Sequence, residues 1–146
     1  MILQKLHKTA KIAFASEFSF YLKAHNFHWN VEGPDFLQYH DLFGKIYEEV
    51  FESIDTFAEQ IRALDAYVPG SFTKFSMLSQ LDDEVDILIK EEMVLTLLED
   101  NKKIQIILKM LFDVSEEAGT VGFSDFVAGR IDAHAKHGWM LRSSAK

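Results

Sequence analysis

The stretch FLQYHDLFGKIYEEVFESIDTFAEQIRALD, residues 36–65, decides the fold: Phe43, Tyr47, Val50, Ile54, Phe57, Ile61 and Leu64 recur at alternating spacings of four and three. A helix turns once every ~3.6 residues, so this rhythm puts all seven side chains on one face, the seam of a helix packed in a bundle. A half-buried strand would alternate every second residue instead. Working outward, Gly33-Pro34 and Pro69-Gly70 bracket the segment, and both pairs break helices. Residues 35–68 contain a single glycine, Gly44, and residues 71–118 contain neither Gly nor Pro, which predicts long helices on both sides of the second break. A second seam, Leu81, Val85, Leu88, Leu95 and Leu98, resumes at Ile104, Ile107, Leu108 and Leu111 and reads as a third long helix with Ser79 or Asp82 as its N-cap. Phe72, Phe75, Met77 and Leu78 precede it as a short helix inset at 71–80. Gly119 and Gly122 close the third helix, and Ser124 caps a fourth that runs through Trp139. The expectation is an all-α four-helix bundle with a short extra helix between helices two and three, forming one domain over residues 1–146.

Composition narrows the class. With 48% hydrophobic residues, thirteen of them Phe, a chain of 146 residues has enough apolar material for one core and too much for intrinsic disorder. No run free of Asp, Glu, Lys and Arg exceeds eight residues, so no membrane span is expected. Lys5, Lys8 and Lys11 interrupt the apolar positions a secretory signal would need, and there is no cysteine; both point to the cytoplasm. The net charge of −8 repels polyanions and leaves carboxylates available to cations.

Five residues carry the candidate chemistry: His25, His28, His40, Asp55 and Glu59, hard or borderline donors suited to Fe, Zn or Mn. The ordinary alternative is that the histidines pack or cap helix ends, while Asp55 and Glu59 form a solvated acidic face with Arg62 pairing to Glu59 at i+3. Spacing sharpens the choice. His28 lies three residues before the 31–35 turn and His40 five after it, so an antiparallel hairpin brings the two imidazoles together. Asp55 is fifteen residues beyond His40, about 22 Å along a helix. One chain cannot close that gap, so a shared ion needs two subunits. At ~100° per residue, His40, Gly44, Asp55 and Glu59 fall on a stripe turned ~70–170° from the apolar seam, facing out of their own bundle. No Glu-x-x-His motif, the usual intra-bundle di-iron signature, occurs in the chain.

The combination His25-Asn-Phe-His28-Trp29-Asn30-Val31-x-Gly33-Pro34, then His40, then Asp55-x-x-x-Glu59-x-x-Arg62, resembles the Dps family of miniferritins. The run from Arg130 through His134, His137 and Trp139 to Arg142 is similar to that family's C-terminal signature, and the resemblance covers the chain from about Ile12 onward. It implies a twelve-subunit homo-oligomeric shell in which Fe(II) is oxidised by hydrogen peroxide, or by oxygen, between two-fold-related subunits and stored as ferric mineral. Carried over by position, His28 and His40 come from one subunit and Asp55 and Glu59 from its partner, and zinc can occupy the same site. One position departs: the family places a carboxylate four residues after the second histidine, where this chain has Gly44. That is either a simple loss or an opening for water or a neighbouring side chain, with His25, one turn before His28, as the stand-in ligand. Trp29 would then lie beside the metal. Glu116, Glu117 and Asp125 match the acidic pore of the shell, or form a solvated helix end. His134, Lys136 and His137 are expected on a solvated or interface face. DNA compaction, the activity that named the family, is disfavoured: the basic residues near the ends are only Lys5, Lys8, Lys11, Arg142 and Lys146. A third reading keeps the shell but loses the metal chemistry.

Overall fold

The computed structural model describes residues 1–146 as five helices and no strands. They are α1 (Ile2–Asn30), α2 (Phe36–Ala63), α3 (Phe72–Leu78), α4 (Lys90–Ala118) and α5 (Val121–Ala145). The α1–α2 and α4–α5 hairpins pack through α1 and α4 into the expected four-helix bundle, with α3 as the inset helix against α1. The α2 seam behaves as its period predicts: Phe43, Val50, Phe57 and Ile61 are fully buried, and Tyr47, Ile54 and Leu64 pack along the rim of the core. Facing them are Phe14, Phe20 and Phe27 of α1, Leu97, Ile104, Leu108 and Leu111 of α4, and Val127 and Leu141 of α5. Between α1 and α2 the chain reverses through Gly33 at φ 103° and Asp35 at φ 65°, a tight turn in which the glycine takes a conformation most residues avoid.

Two boundaries differ from the sequence reading. The third long helix starts at Lys90, not near Leu81. Residues 79–89 form no helix, with Leu81 buried and Val85 85% exposed, so the Leu81, Val85, Leu88 pattern is no helical seam. As a helix, this segment would set Asp82 against Asp86 at i,i+4 in a run that also carries Asp83 and Glu84, a repulsive arrangement. Remote groups claim its backbone instead: the Ser16 hydroxyl accepts from the Gln80 amide at 3.0 Å, and Lys23 Nζ donates to the Asp82 carbonyl at 2.5 Å. Ser124 does not cap the fourth helix. It lies inside α5 and bonds Ser115 Oγ at 2.7 Å, while Thr120 holds the cap position and Gly122 falls in the first turn. Gly119 does end α4, at φ 74°, and α5 continues past Trp139 to Ala145.

Lys23 also donates to Asp100 at 2.6 Å, an ion pair whose two side chains are only 6% and 7% exposed. It ties α1, α4 and the 79–89 segment together. Removing one member of a buried pair strands the other charge at a cost of about 3–5 kcal/mol. Lys23→Ala should therefore lower the unfolding free energy, measured by urea denaturation, by that order and expose residues 79–89 to proteolysis; cleavage elsewhere first would contradict this anchoring.

Candidate metal centre

The α1–α2 turn sets His28 and His40 face to face, with ring centroids 3.7 Å apart and planes within 17°. Each ring bonds the other residue's backbone: His28 Nδ1–H donates to the His40 carbonyl and His40 Nδ1–H to the His28 carbonyl, both at 2.6 Å. A carbonyl only accepts, so both Nδ1 atoms carry the proton. In the neutral rings each Nε2 then keeps its lone pair, the state a metal ligand requires. The hairpin thus orients two imidazole donors before any ion arrives.

Position 44 is not an empty socket. A Cβ there would stand 3.1 Å from His28 Nδ1 and 3.2 Å from Cε1, so Gly44 is what lets the His28 ring lie against α2. The side chain against position 44 is that of His28, not His25. The His25 ring sits between Tyr47, stacked at 3.8 Å and 7°, and Trp29, at 3.8 Å, with its Nδ1 bonded to the Tyr21 hydroxyl at 3.0 Å. Its centroid is 6.0 Å from that of His28. Burial, then the neighbouring His28, hold the His25 pKa below the usual imidazole range against the opposing pull of Glu48. Trp29 remains 58% exposed.

Asp55 and Glu59 are exposed on α2, as the outward stripe requires, and the chain by itself arranges no group of three or more His, Asp or Glu to hold a metal ion. Arg62 does not pair with Glu59. It donates to the Ala66 carbonyl at 2.9 Å and lies over the Tyr67 ring at 4.8 Å, so the ordinary reading of that face as an i,i+3 ion pair does not hold. Glu116, Glu117 and Asp125 stand exposed around the α4–α5 turn.

The expectation of a solvated or interface face at His134 and His137 is overturned; only Lys136 is exposed, and both histidines are buried. They join Glu17, Glu49, Asn101 and Arg130 in one network. Arg130 Nε donates to Glu17 at 3.1 Å and its Nη atoms to both Glu49 oxygens at 2.5 and 3.1 Å. His134 Nε2 lies 2.6 Å from Glu17 and His137 Nε2 2.7 Å from Glu49. Burial pushes Glu17 up, but His134 and Arg130 together bring it below the usual carboxylate range. Burial likewise opposes Glu49, yet hydrogen bonds from His137 and Arg130 pull its pKa down to about 2. A signal for this network was present: Phe123, Val127, Arg130, His134, His137 and Leu141 recur at four-and-three spacing, so the polar residues occupy seam positions of α5.

Glu49 generates a pH prediction. Its folded pKa lies below the ordinary value of 4.5, so the stability it contributes is present above that pH and is lost as the pH falls toward about 2. Because its side chain is 39% exposed, screening reduces the contribution to about 1–2 kcal/mol. Urea denaturation between pH 5 and pH 2.5 should show that loss in the parent and a flatter profile in Glu49→Gln; parallel profiles would remove Glu49 from the account.

Comparison with known proteins agrees with this architecture. The family model for the ferritin-like domain matches residues 11–145. A DNA protection during starvation protein of Brevibacillus brevis is 32% identical over 127 residues, covering 84% of this chain and 83% of that protein. The crystal structure of a Dps protein from Bacillus brevis superposes with a TM-score of 0.94 at 28% identity, over 99% of this chain and 97% of that one. A Dps protein from Vibrio cholerae O1, which belongs to a broad superfamily of ferritin-like diiron-carboxylate proteins, gives 0.94 at 26% identity over 99% and 91% of the two chains. With sequence, bundle topology and inset helix in agreement, the chain belongs to the ferritin-like domain family and, within it, to the Dps miniferritins.

Proposed function

We propose that the protein is a ferroxidase and iron store. Fe(II), as substrate, binds between two-fold-related subunits through His28 and His40 of one chain and Asp55 and Glu59 of the other. The observation that carries this reading is the reciprocal His28–His40 pairing, which engages both Nδ1 atoms and leaves both Nε2 atoms for a metal, on the face that also bears the exposed Asp55 and Glu59. Two imidazoles and two carboxylates neutralise a divalent ion and form a borderline-to-hard donor set suited to Fe(II), with Zn(II) able to occupy it. Position 44 offers no carboxylate, so we expect one firmly held ion per site and a second that is weaker, with His25 its supplementary ligand through Nε2.

Hydrogen peroxide, or oxygen, is the electron acceptor in this reading. Two Fe(II), one peroxide and two protons give two Fe(III) and two waters, removing both Fenton reactants without releasing hydroxyl radical. The chain's part is to hold the ions and to screen the reaction between subunits. Trp29, exposed and tilted against His25 at 3.8 Å, would intercept a stray oxidising equivalent. Glu116, Glu117 and Asp125 would line the entry for iron into a shell of twelve subunits whose cavity receives ferric mineral. No helix is long and apolar enough to cross a membrane, and we assign the shell to the cytoplasm. The net charge of −8 argues against DNA as a partner. A shell with weakened ferroxidase activity is the alternative, favoured by the single observation at Gly44.

Subunit mixing tests the shared site. His28→Ala and Asp55→Ala should each abolish tight zinc and ferrous binding, while shells co-assembled from equal amounts of both should recover about a quarter of the sites, since half the two-fold interfaces join unlike subunits and hold one intact site of two. The shells should elute near twelve times 16.8 kDa. No recovery on mixing, or a monomer mass, would refute the inter-subunit assignment.

Gly44→Ala probes the hairpin. The added methyl crowds the His28 ring and should weaken zinc binding about tenfold by disturbing an outer-shell hydrogen bond. Folding stability should move by less than ~1 kcal/mol, because better helix propensity offsets the contact. Zinc affinity equal to the parent's, by calorimetry, would show that the ring reorients freely.

A further inference from the structure

Aromatic side chains of α1 and α2 gather around His25, and one of them carries a bonded hydroxyl. The His25 ring meets Tyr47 at 3.8 Å and 7°, and Trp29 at 3.8 Å and 35°. The Tyr21 ring lies 5.5 Å from His25, 6.2 Å from Tyr47 and 5.0 Å from Phe51, centroid to centroid. Positions 21, 25 and 29 are four apart on α1 and so share one helix face. His25 is therefore the ring that stands between the indole of Trp29 and the phenol of Tyr21.

Exposure and hydrogen bonding set the two ends of this stack apart. Trp29 is 58% exposed, so an oxidant at the surface of the subunit meets its indole first. The other indole, Trp139, is as exposed and pairs with no aromatic ring, whereas Trp29 lies against His25. Tyr21 is half-buried, and its hydroxyl lies 3.0 Å from His25 Nδ1; the remaining tyrosine hydroxyls make no hydrogen bond. A phenol gives up an electron readily only as its proton leaves, and an imidazole nitrogen within hydrogen-bond reach is a base for that proton. Tyr47 presses its ring closer to His25 but has no such base at its hydroxyl.

We propose that Trp29, His25 and Tyr21 form a one-electron relay whose terminus is Tyr21. An oxidant of the hydroxyl-radical class takes one electron from Trp29, and the indole proton goes to water. One electron then crosses the His25 ring from Tyr21 to the indolyl radical, while the Tyr21 phenolic proton passes to His25 Nδ1 and the indole regains a proton from water. The imidazolium formed at His25 releases a proton to solvent. In sum, one hydroxyl radical and one phenol become one water and one tyrosyl radical, held on a half-buried ring instead of an exposed indole. An ion on His25 Nε2 places the ring proton at Nδ1 and suspends the transfer, so the relay belongs to a subunit whose weaker metal subsite is empty. That iron and peroxide generate the oxidant rests on the function proposed above; the relay itself does not.

The test uses the full-length protein freed of metal and oxidised by azide radicals from pulse radiolysis, which take electrons from indole in preference to phenol. With Trp139→Phe, Trp29 is the only indole. Its radical absorption should decay as tyrosyl absorption rises, at one first-order rate independent of protein concentration. Tyr21→Phe in that background should remove the rise, and Tyr47→Phe should keep it. His25→Phe, which retains a ring and removes the base, should slow the conversion ~100-fold or more, the usual contribution of a positioned proton acceptor. Trp29→Phe with Trp139 retained should hold its indolyl radical without any rise. A rise that survives Tyr21→Phe, is lost in Tyr47→Phe or keeps its rate in His25→Phe overturns the proposal, as does a rate that scales with protein concentration. If a variant fails to fold, heavy water gives the reading on the Trp139→Phe protein: slower conversion supports the coupled proton transfer, and an unchanged rate overturns it. Because neither iron nor peroxide is present, failure here leaves the ferroxidase reading standing, and failure of the subunit-mixing test leaves the relay standing.

Discussion

A carboxylate enclosed in an apolar bundle, Glu17, and a second half-buried at its edge, Glu49, must find positive partners, and that requirement organises this molecule. Glu17 and Glu49 lie on different helices and are answered by a guanidinium and imidazoles from α5, while Asn101 of α4 orients His134. One connected set of hydrogen bonds therefore touches all four long helices. Apolar seams can slide by a fraction of a turn at modest cost, since the hydrophobic effect has no direction. A buried network of this kind tolerates no such slip, because every displaced donor or acceptor would be left unpaired in a low-dielectric interior.

A second polar device holds the outside of the bundle. The Lys23–Asp100 pair, with the Asp82 carbonyl as a third partner, clamps the non-helical 79–89 segment over α1 and α4. That segment is the long crossover by which the chain passes from one hairpin to the other, and α3 opens it. Because the crossover is pinned at Ser16 and Lys23, the α1–α2 hairpin and the α4–α5 hairpin share one frame, and the outward face of α2 is presented with a defined orientation.

On that face the hairpin turn performs the chemistry of preparation. His28 and His40 spend their Nδ1 protons on each other's carbonyls, so tautomer and ring orientation are decided by backbone atoms of the same hairpin. Gly44 belongs to this arrangement through the volume it leaves for His28. The aromatic box of Tyr21, Trp29 and Tyr47 around His25 continues the same surface and immobilises a third imidazole one turn away. Histidines thus take two different roles in one subunit, half-buried and turned toward each other's backbone at the hairpin, fully buried beside carboxylates in the core.

Local pattern was enough for much of this. The α2 seam, the Gly33-Pro34 break and the short inset helix at Phe72 could be read because helical period and turn chemistry depend on residues a few positions apart. The meeting of His28 with His40, and the outward placement of Asp55 and Glu59, followed from the same local geometry carried across one short turn. What lay beyond reach depended on partners remote in sequence. Residues 79–89 carry an apolar rhythm that suggested helix, but Ser16 and Lys23, 64 and 59 positions away from their partners, take up backbone groups of that non-helical segment. His134 and His137 look like solvent-facing residues until Glu17, 117 positions from His134, and Glu49, 88 positions from His137, are brought against them. Period is a property of one helix and is written in its own residues, whereas the burial of a charge is decided by whether distant helices deliver its counter-charge, which only the packed bundle determines.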